Sequence, residues 1–240
     1  MRRPILRRRP HTTSLARIVD FIGIFPTGEV SMNDRPFYVL LGPDGAGKSS
    51  VMAEIEHRLP TWRTLSTDDA FVGPEHELVT RLRHEMVGEV LPHLGESYSA
   101  DFMAALLQTA VIHLKDEIER QDDGVPVVVD SYYYKILAKC RLAGVEENPM
   151  YAWWRSFPQP CAVIYLDVSP RSAWRRSGEG ARLNALEHFG EFPEWQGFED
   201  YQESLRKLML EEIRELPVTI IKEQPSAAHT ADAVVEVLTS

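Results

Sequence analysis

A chain of 240 residues with 44% hydrophobic content carries enough apolar material for one sizeable core, and it falls in the size range of a single α/β domain. Its formal charge of -10 excludes nucleic acid as the main partner, because counterion-driven binding needs a basic face; small anions would need a local positive pocket. Cys140 and Cys161 are too few for a disulfide framework and have no metal-ligand spacing, so both read as small core residues in a reducing cytoplasm.

The N-terminal region stands apart in charge. Six arginines (Arg2, Arg3, Arg7, Arg8, Arg9, Arg17) face only Asp20 and Glu29 before Met32, and residues 1–33 are expected to form a basic, flexible extension. The apolar run Ile18 to Phe25 is short and contains Asp20, which fits neither a membrane span nor a targeting signal. Met32, a few residues before the first strand, is an alternative start.

From there strands and helices alternate. The β-rich run Phe37 to Leu41 leads through glycines into a helical pattern at Ser49 to Arg58. A short strand is expected at Trp62 to Ser66, followed by Asp68 and Asp69. Between Glu75 and Gln121 the pattern predicts two helices, broken near Pro92 to Ser97. Val125 to Val129 reads as a strand buried on both faces, ending in Asp130. A fourth strand is expected at Ala162 to Leu166, ending in Asp167, and a fifth at Val218 to Ile221, ahead of a helix from Ala227. Such alternation implies a parallel five-stranded sheet flanked by helices, with ligands beyond the carboxyl ends of the strands. Asp68, Asp69 and Asp130 all fall at those ends.

Gly42, Pro43, Asp44, Gly45, Ala46, Gly47, Lys48 and Ser49 satisfy the G-x-x-x-x-G-K-[ST] pattern between a strand and a helix. The glycines let backbone N–H groups of residues 42 to 50, including those of Ala46 and Ser50, wrap a phosphate closely. Lys48 is expected to reach the β and γ phosphates, Ser49 to bind Mg²⁺, and the following helix to aim its positive end at the anion. Residues 34–240 therefore read as a P-loop kinase domain that takes ATP with Mg²⁺.

The chain resembles the thymidylate kinase group of nucleotide kinases. The resemblance is carried by Leu41 to Ser50 (LGPDGAGKSS), Val127 to Tyr134 (VVVDSYYY), Val163 to Pro170 (VIYLDVSP) and the helix Tyr201 to Leu210, and spans about residues 37 to 240. It implies that Asp130 acts near Mg²⁺ and the transferring phosphoryl group, with Ser49 and Asp130 as the metal-facing pair. It also implies that Arg175 to Glu187 is a lid whose arginines, Arg175, Arg176 and Arg182, close over the phosphates. The adenine of ATP is expected near Glu223 to Pro225.

Two departures bear on the acceptor. Ser131 stands where the family usually has an arginine for the acceptor phosphate, and Leu106 to His113 lacks a second expected arginine. On this reading a dianionic acceptor such as dTMP meets little positive charge. Ser66 to Phe71 also looks like the S-x-D-[DS]-F segment of uridine kinase and nicotinamide riboside kinase, whose first carboxylate accepts the proton of an attacking hydroxyl. Asp68 is thus the candidate base, with Asp69 behind it; helix capping is the structural alternative. Tyr132, Tyr133 and Phe71, with Asp69, are the candidate acceptor contacts, while Tyr134, Trp153 and Trp154 offer further stacking surfaces.

The leading expectation is phosphoryl transfer from ATP to a hydroxyl of a nucleoside or nucleoside-like small molecule. A nucleoside monophosphate kinase of the dTMP type is the alternative, and a non-catalytic ATP-binding switch a third. A GTPase is disfavoured by the absence of an N-K-x-D segment. The expected partners are a small phosphoryl acceptor and, as an open option, a second copy of the chain in a homodimer, with no nucleic acid and no membrane.

Overall fold

The computed structural model describes residues 36–120 and 124–240; the basic extension expected at 1–33 lies outside the described residues. Five strands, β1 (Phe37–Leu41), β2 (Arg63–Leu65), β3 (Val127–Asp130), β4 (Ala162–Asp167) and β5 (Val218–Lys222), form one sheet in the order β2-β3-β1-β4-β5. Every pairing is parallel. Among the described residues eight α-helices flank it: α1 (Lys48–Arg58), α2 (Glu77–Glu85), α3 (Ala100–Glu119), α4 (Tyr132–Leu142), α5 (Pro149–Arg155), α6 (Pro170–Arg176), α7 (Trp195–Glu212) and α8 (Ala227–Thr239).

The strands are apolar on both faces because both faces are covered. Phe37, Val39, Leu41, Val127, Val129, Val163 and Tyr165 pack with residues of α3, α4 and α7, including Met103, Leu137 and Leu205. Leu40, Val128, Ile164 and Leu166 alternate with them and meet Val51, Met52 and Ile55 of α1 and Val234 of α8. This period of two explains the unbroken hydrophobic runs. Each such side chain contributes about 1.5–3 kcal/mol relative to exposure.

Several expected elements shift slightly. β2 is confined to Arg63–Leu65, and β3 begins after Pro126, whose missing N–H suits a strand start. The segment between β2 and β3 is more broken than its pattern predicts: a 3₁₀ turn at Pro74–His76, α2, a π-helical turn at Met86–Val90 and a 3₁₀ turn at Leu91–His93 precede α3. The break falls where Pro92 and Gly95 stand, and Ser99 then starts α3 by accepting a hydrogen bond from the Phe102 N–H.

The register sets the site. Leu40 lies opposite Asp130, and the Ser131 N–H donates to the Leu40 carbonyl at 3.0 Å, so the end of β3 meets the start of the glycine loop. Because β1 has β3 on one side and β4 on the other, the crevice opens where the chain changes direction.

Candidate active site

The loop from Gly42 to Gly47 turns β1 into α1. A Cβ on Gly42 would lie 2.8 Å from the Leu166 carbonyl oxygen, and Gly47 has φ +88°, so side chains are excluded on steric grounds at both. Lys48 is folded into the loop: its Nζ donates to the carbonyls of Gly42 and Pro43, each at 3.3 Å, and the side chain is buried. Burial, and then the nearby Lys135 ammonium, push its pKa down from 10.5 to about 8 against the pull of Asp130 and Asp44.

Three carboxylates converge beside it. The Ser49 hydroxyl donates to Asp68 Oδ2 at 2.5 Å. Asp130 accepts from the hydroxyls of Ser66, at 3.1 Å, and Ser131, at 2.7 Å. Ser66 Oγ also accepts from the Asp68 N–H at 3.1 Å, so one hydroxyl ties the ends of β2 and β3 together. Asp68 is thus held by its own loop and does not cap a following helix. Beyond Asp130 the backbone takes a costly turn: Ser131 and Tyr132 have φ of 60° and 45°, in the left-handed region that non-glycine residues seldom adopt. That turn leaves Ser131 in the cavity lining and drives the Tyr132 ring into the core against Phe37.

Asp44, the third carboxylate, is the largest departure from the sequence reading. It does not face a nucleotide alone: Lys135 Nζ lies 2.5 Å from its Oδ1 and Lys139 Nζ 2.9 Å from its Oδ2. Lys139 also reaches Glu187, at 3.6 Å. Burial alone would raise the Asp44 pKa, but Lys135, Lys139 and Lys48 together hold it well below the usual carboxylate range. Lys139 is in turn held above the ordinary lysine value, because Asp44 and Glu187 outweigh the effect of burial. Lys135 and Lys139 sit four residues apart on one face of α4. A fourth cation arrives from α2, where Arg83 Nη2 lies 2.9 Å from Asp68 Oδ1 and Nη1 donates to the Thr67 carbonyl at 2.8 Å. Sequence reasoning missed Arg83, Lys135, Lys139 and Glu187; the i,i+4 lysines directly after Asp130 were the available signal.

These groups line a cavity of about 470 Å³. Its polar end holds Lys48, Ser49, Asp68, Asp130, Ser131 and the Asp44 cluster, and its far end is apolar, with Leu82, Met86, Leu91, Leu106, Leu107 and Ile136. The expectation of a site with little positive charge is corrected: Arg83, Lys135 and Lys139 supply it from positions other than the two the motif comparison singled out. All three are already engaged by carboxylates.

The three arginines expected in a lid divide. Arg176 donates through Nη1 to the Gly45 carbonyl and through Nη2 to Glu223, both at 3.1 Å, and so bridges the phosphate loop to the end of β5. Arg182 donates to the Arg176 carbonyl, which keeps it close by. Arg175 folds back onto Ser172 Oγ, at 3.1 Å, away from the loop. The segment expected to be a lid contributes Asn184, Leu186 and Glu187 to the cavity wall.

Several expected acceptor contacts lie elsewhere. Tyr133 is a core residue that shares Gln159 with Tyr134 and does not line the cavity. Its place in the helix after Asp130 turns it toward α5 and α7. Phe71 packs on the α1 side of the sheet, and Asp69 points outward to His84, at 2.8 Å, and Arg83, at 3.6 Å. Tyr132 borders the cavity but its ring is buried. Trp154 is likewise core, while Trp153 is exposed and stacks edge-on against Phe157.

The sequence model of the family Thymidylate kinase matches residues 41–234, which include every group in this site. The chain belongs to the thymidylate kinase family. It is accordingly a phosphotransferase, in a family that uses ATP as phosphate donor. It is 32% identical over 143 residues to a probable thymidylate kinase of Pyrobaculum aerophilum, covering 58% of this chain and 68% of the relative. A probable thymidylate kinase of Pyrobaculum calidifontis is 32% identical over 157 residues, 63% of this chain and 74% of the relative. Among solved structures, thymidylate kinase from Candida albicans is similar at a TM-score of 0.59 with 13% identity, over 85% of this chain and 91% of that one. Deoxyadenosine kinase from M. mycoides is similar at 0.54 with 15% identity, over 85% and 100%. At such identities these two structures speak for the fold alone.

Proposed function

We propose that this thymidylate kinase-family enzyme transfers the γ-phosphoryl group of ATP to a hydroxyl of an uncharged small molecule whose body fills the apolar end of the cavity. The observation that carries this reading is charge balance. The cavity lining holds four cations, Lys48, Arg83, Lys135 and Lys139, and four carboxylates, Asp44, Asp68, Asp130 and Glu187, with Arg83, Lys135 and Lys139 each ion-paired to one of the latter. A dianionic acceptor beside the nucleotide phosphates would add negative charge to a lining whose charges already balance. A neutral alcohol adds none.

The residues fit the nucleotide. Gly42 packs tightly on the Leu166 carbonyl and Gly45 and Gly47 take positive φ, a backbone course that side chains would obstruct; Lys48 is buried within the loop, and Ser49 and Asp130 are the oxygen donors that would hold Mg²⁺. Bound Mg²⁺ would neutralise charge on the β and γ phosphate oxygens. In this reading Asp68 accepts a hydrogen bond from the attacking hydroxyl and takes its proton as the bond to phosphorus forms; its contacts with Ser49 and Arg83 at the cavity's polar end support that role. Arg176 holds the phosphate loop through the Gly45 carbonyl, and in this reading it meets charge on the transferring group when ATP is bound. A cytoplasmic setting, in which Cys140 and Cys161 stay as free thiols, suits this chemistry.

A second reading, a nucleoside monophosphate acceptor, is favoured by Arg83, Lys135 and Lys139 lining the cavity and by the names of the two Pyrobaculum relatives. One mass-spectrometric screen separates them. The chain is incubated with ATP and Mg²⁺ and a panel of nucleosides, amino alcohols, sugars and nucleoside monophosphates, and products heavier by one phosphoryl group are sought. The expected result is turnover of a neutral alcohol that falls about 10²–10⁴-fold in Asp68→Asn while ATP binding persists. Turnover of monophosphates alone would overturn the neutral-acceptor reading in favour of the second.

A further inference from the structure

Away from the phosphate site, His76, His113 and Glu117 bring one ligand atom each to within 4.8 Å of one another. His113 and Glu117 lie four residues apart on α3 and so share a face of the helix. His76 is delivered to that face by the 3₁₀ turn Pro74–His76. The imidazole centroids are 4.7 Å apart with the ring planes inclined at 60°, and His76 Nε2 stands 3.7 Å from Glu117 Oε1, too far for a hydrogen bond. In a tetrahedral site with metal–ligand bonds of about 2.0–2.2 Å, neighbouring ligand atoms stand roughly 3.3–3.6 Å apart. Modest side-chain rotation therefore closes the triad around an ion.

The surroundings are those of a metal site with its outer contacts in place. Glu75 Oε1 lies 3.7 Å from His76 Nδ1, where it can orient the ring for coordination through Nε2. Glu117 is buried, and Arg63 holds its Oε2. Its Oε1 accepts from Arg120 Nη1 at 2.7 Å, but Arg120 is 60% exposed and has Asp116, at 3.5 Å, as a second partner. An ion can take Oε1 while Arg120 turns to Asp116 and Arg63 keeps the carboxylate aligned.

We propose that His76, His113 and Glu117 form a binding site for one divalent transition ion, Zn²⁺ by its ligand set, that staples the turn before α2 to α3. Two imidazoles and a carboxylate suit Zn²⁺ or Co²⁺; Mg²⁺ prefers an all-oxygen octahedral shell. The staple has a mechanical purpose. α2 buries none of its residues, yet its Val79, Leu82 and Arg83 line the cavity, as do Thr109, Ala110 and Leu114 of the neighbouring α3. An element with so little buried surface opens easily. An ion fixed at its start to the neighbouring helix would hold that lining in place, whatever acceptor the cavity takes.

The test uses the full chain, stripped with a chelator and titrated with Co²⁺ and then Zn²⁺. One Co²⁺ per chain is expected, with the visible absorption of a four-coordinate ion, displaced by Zn²⁺ and not by excess Mg²⁺. His113→Ala and His76→Gln should each weaken binding by more than the about 10–100-fold that loss of an outer-shell partner costs. Glu117 is left intact because it also anchors Arg63. Zn²⁺ should slow amide hydrogen exchange across residues 77–85 in the parent chain and not in either histidine variant. Absence of binding, or unchanged binding in both variants, overturns the site; binding without slower exchange at 77–85 overturns the staple.

Discussion

Replacing Lys48 with methionine should make the ligand-free protein more stable while abolishing its reaction. The ammonium is buried and its pKa falls from 10.5 to about 8, so holding it charged in the folded state at pH 7 costs about 3 kcal/mol, at about 1.4 kcal/mol per pKa unit. Methionine fills a similar volume without the charge. It leaves the Gly42 and Pro43 carbonyls without their donor, which takes back about 1 kcal/mol each. A net gain of about 1–2 kcal/mol remains. Urea unfolding at pH 7 without nucleotide reads it as a later midpoint at unchanged slope. With ATP and Mg²⁺ at a hundred times Kd the parent should gain about 2.7 kcal/mol and the variant much less, because the ligand no longer meets its cation. The pH dependence follows the same logic. Below about pH 8 Lys48 is charged in both states and its cost is fully present. Between about 8 and 10.5 the folded chain sheds a proton that the unfolded chain keeps, so Lys48 contributes a stability that rises with pH across that window. A Lys48→Met protein that unfolds earlier than its parent by about 1 kcal/mol or more, or that keeps full protection by ATP, would refute this account of the buried ammonium.

Two further substitutions test the charged network. Asp44→Asn strands Lys135 and Lys139 without their shared carboxylate and should destabilise the chain by about 3–5 kcal/mol in thermal unfolding, with part recovered by adding Lys139→Met. In the parent, Asp44 is held below the usual carboxylate range, so its contribution is complete above that range and fades as the pH falls through and below it; an Asp44→Asn chain with a parent-like midpoint at pH 7 would contradict this. Arg176→Ala removes the guanidinium from the Gly45 carbonyl and Glu223 and should lower kcat by about 10²–10³-fold, measured with an acceptor from the screen. Arg175→Ala, whose guanidinium turns back to Ser172, should stay near parent activity, and equal losses in both would remove the distinction.

The phosphate loop, the parallel sheet and the carboxylates at strand ends are legible in the order of residues alone. Each is local: a glycine pattern fixes a backbone turn, an apolar run such as Val127 to Val129 demands cover on both faces, and the residue after such a run stands at the sheet's rim. Asp68, Asp130 and Lys48 could be named from that alone. What the sequence did not contain was rotation and approach. Which side of α4 meets the cavity depends on how its tyrosines pack among α3, α5 and α7. That packing buries Tyr133 and turns Lys135 and Lys139 toward Asp44. Arg83 reaches Asp68 only because a broken helical segment folds α2 over the ends of the strands. Asp44 reads as one loop position among eight until two lysines more than 90 residues away close on it; charge pairing of that kind is a property of the tertiary structure, since the attraction exists only after the hydrophobic core has set the distance.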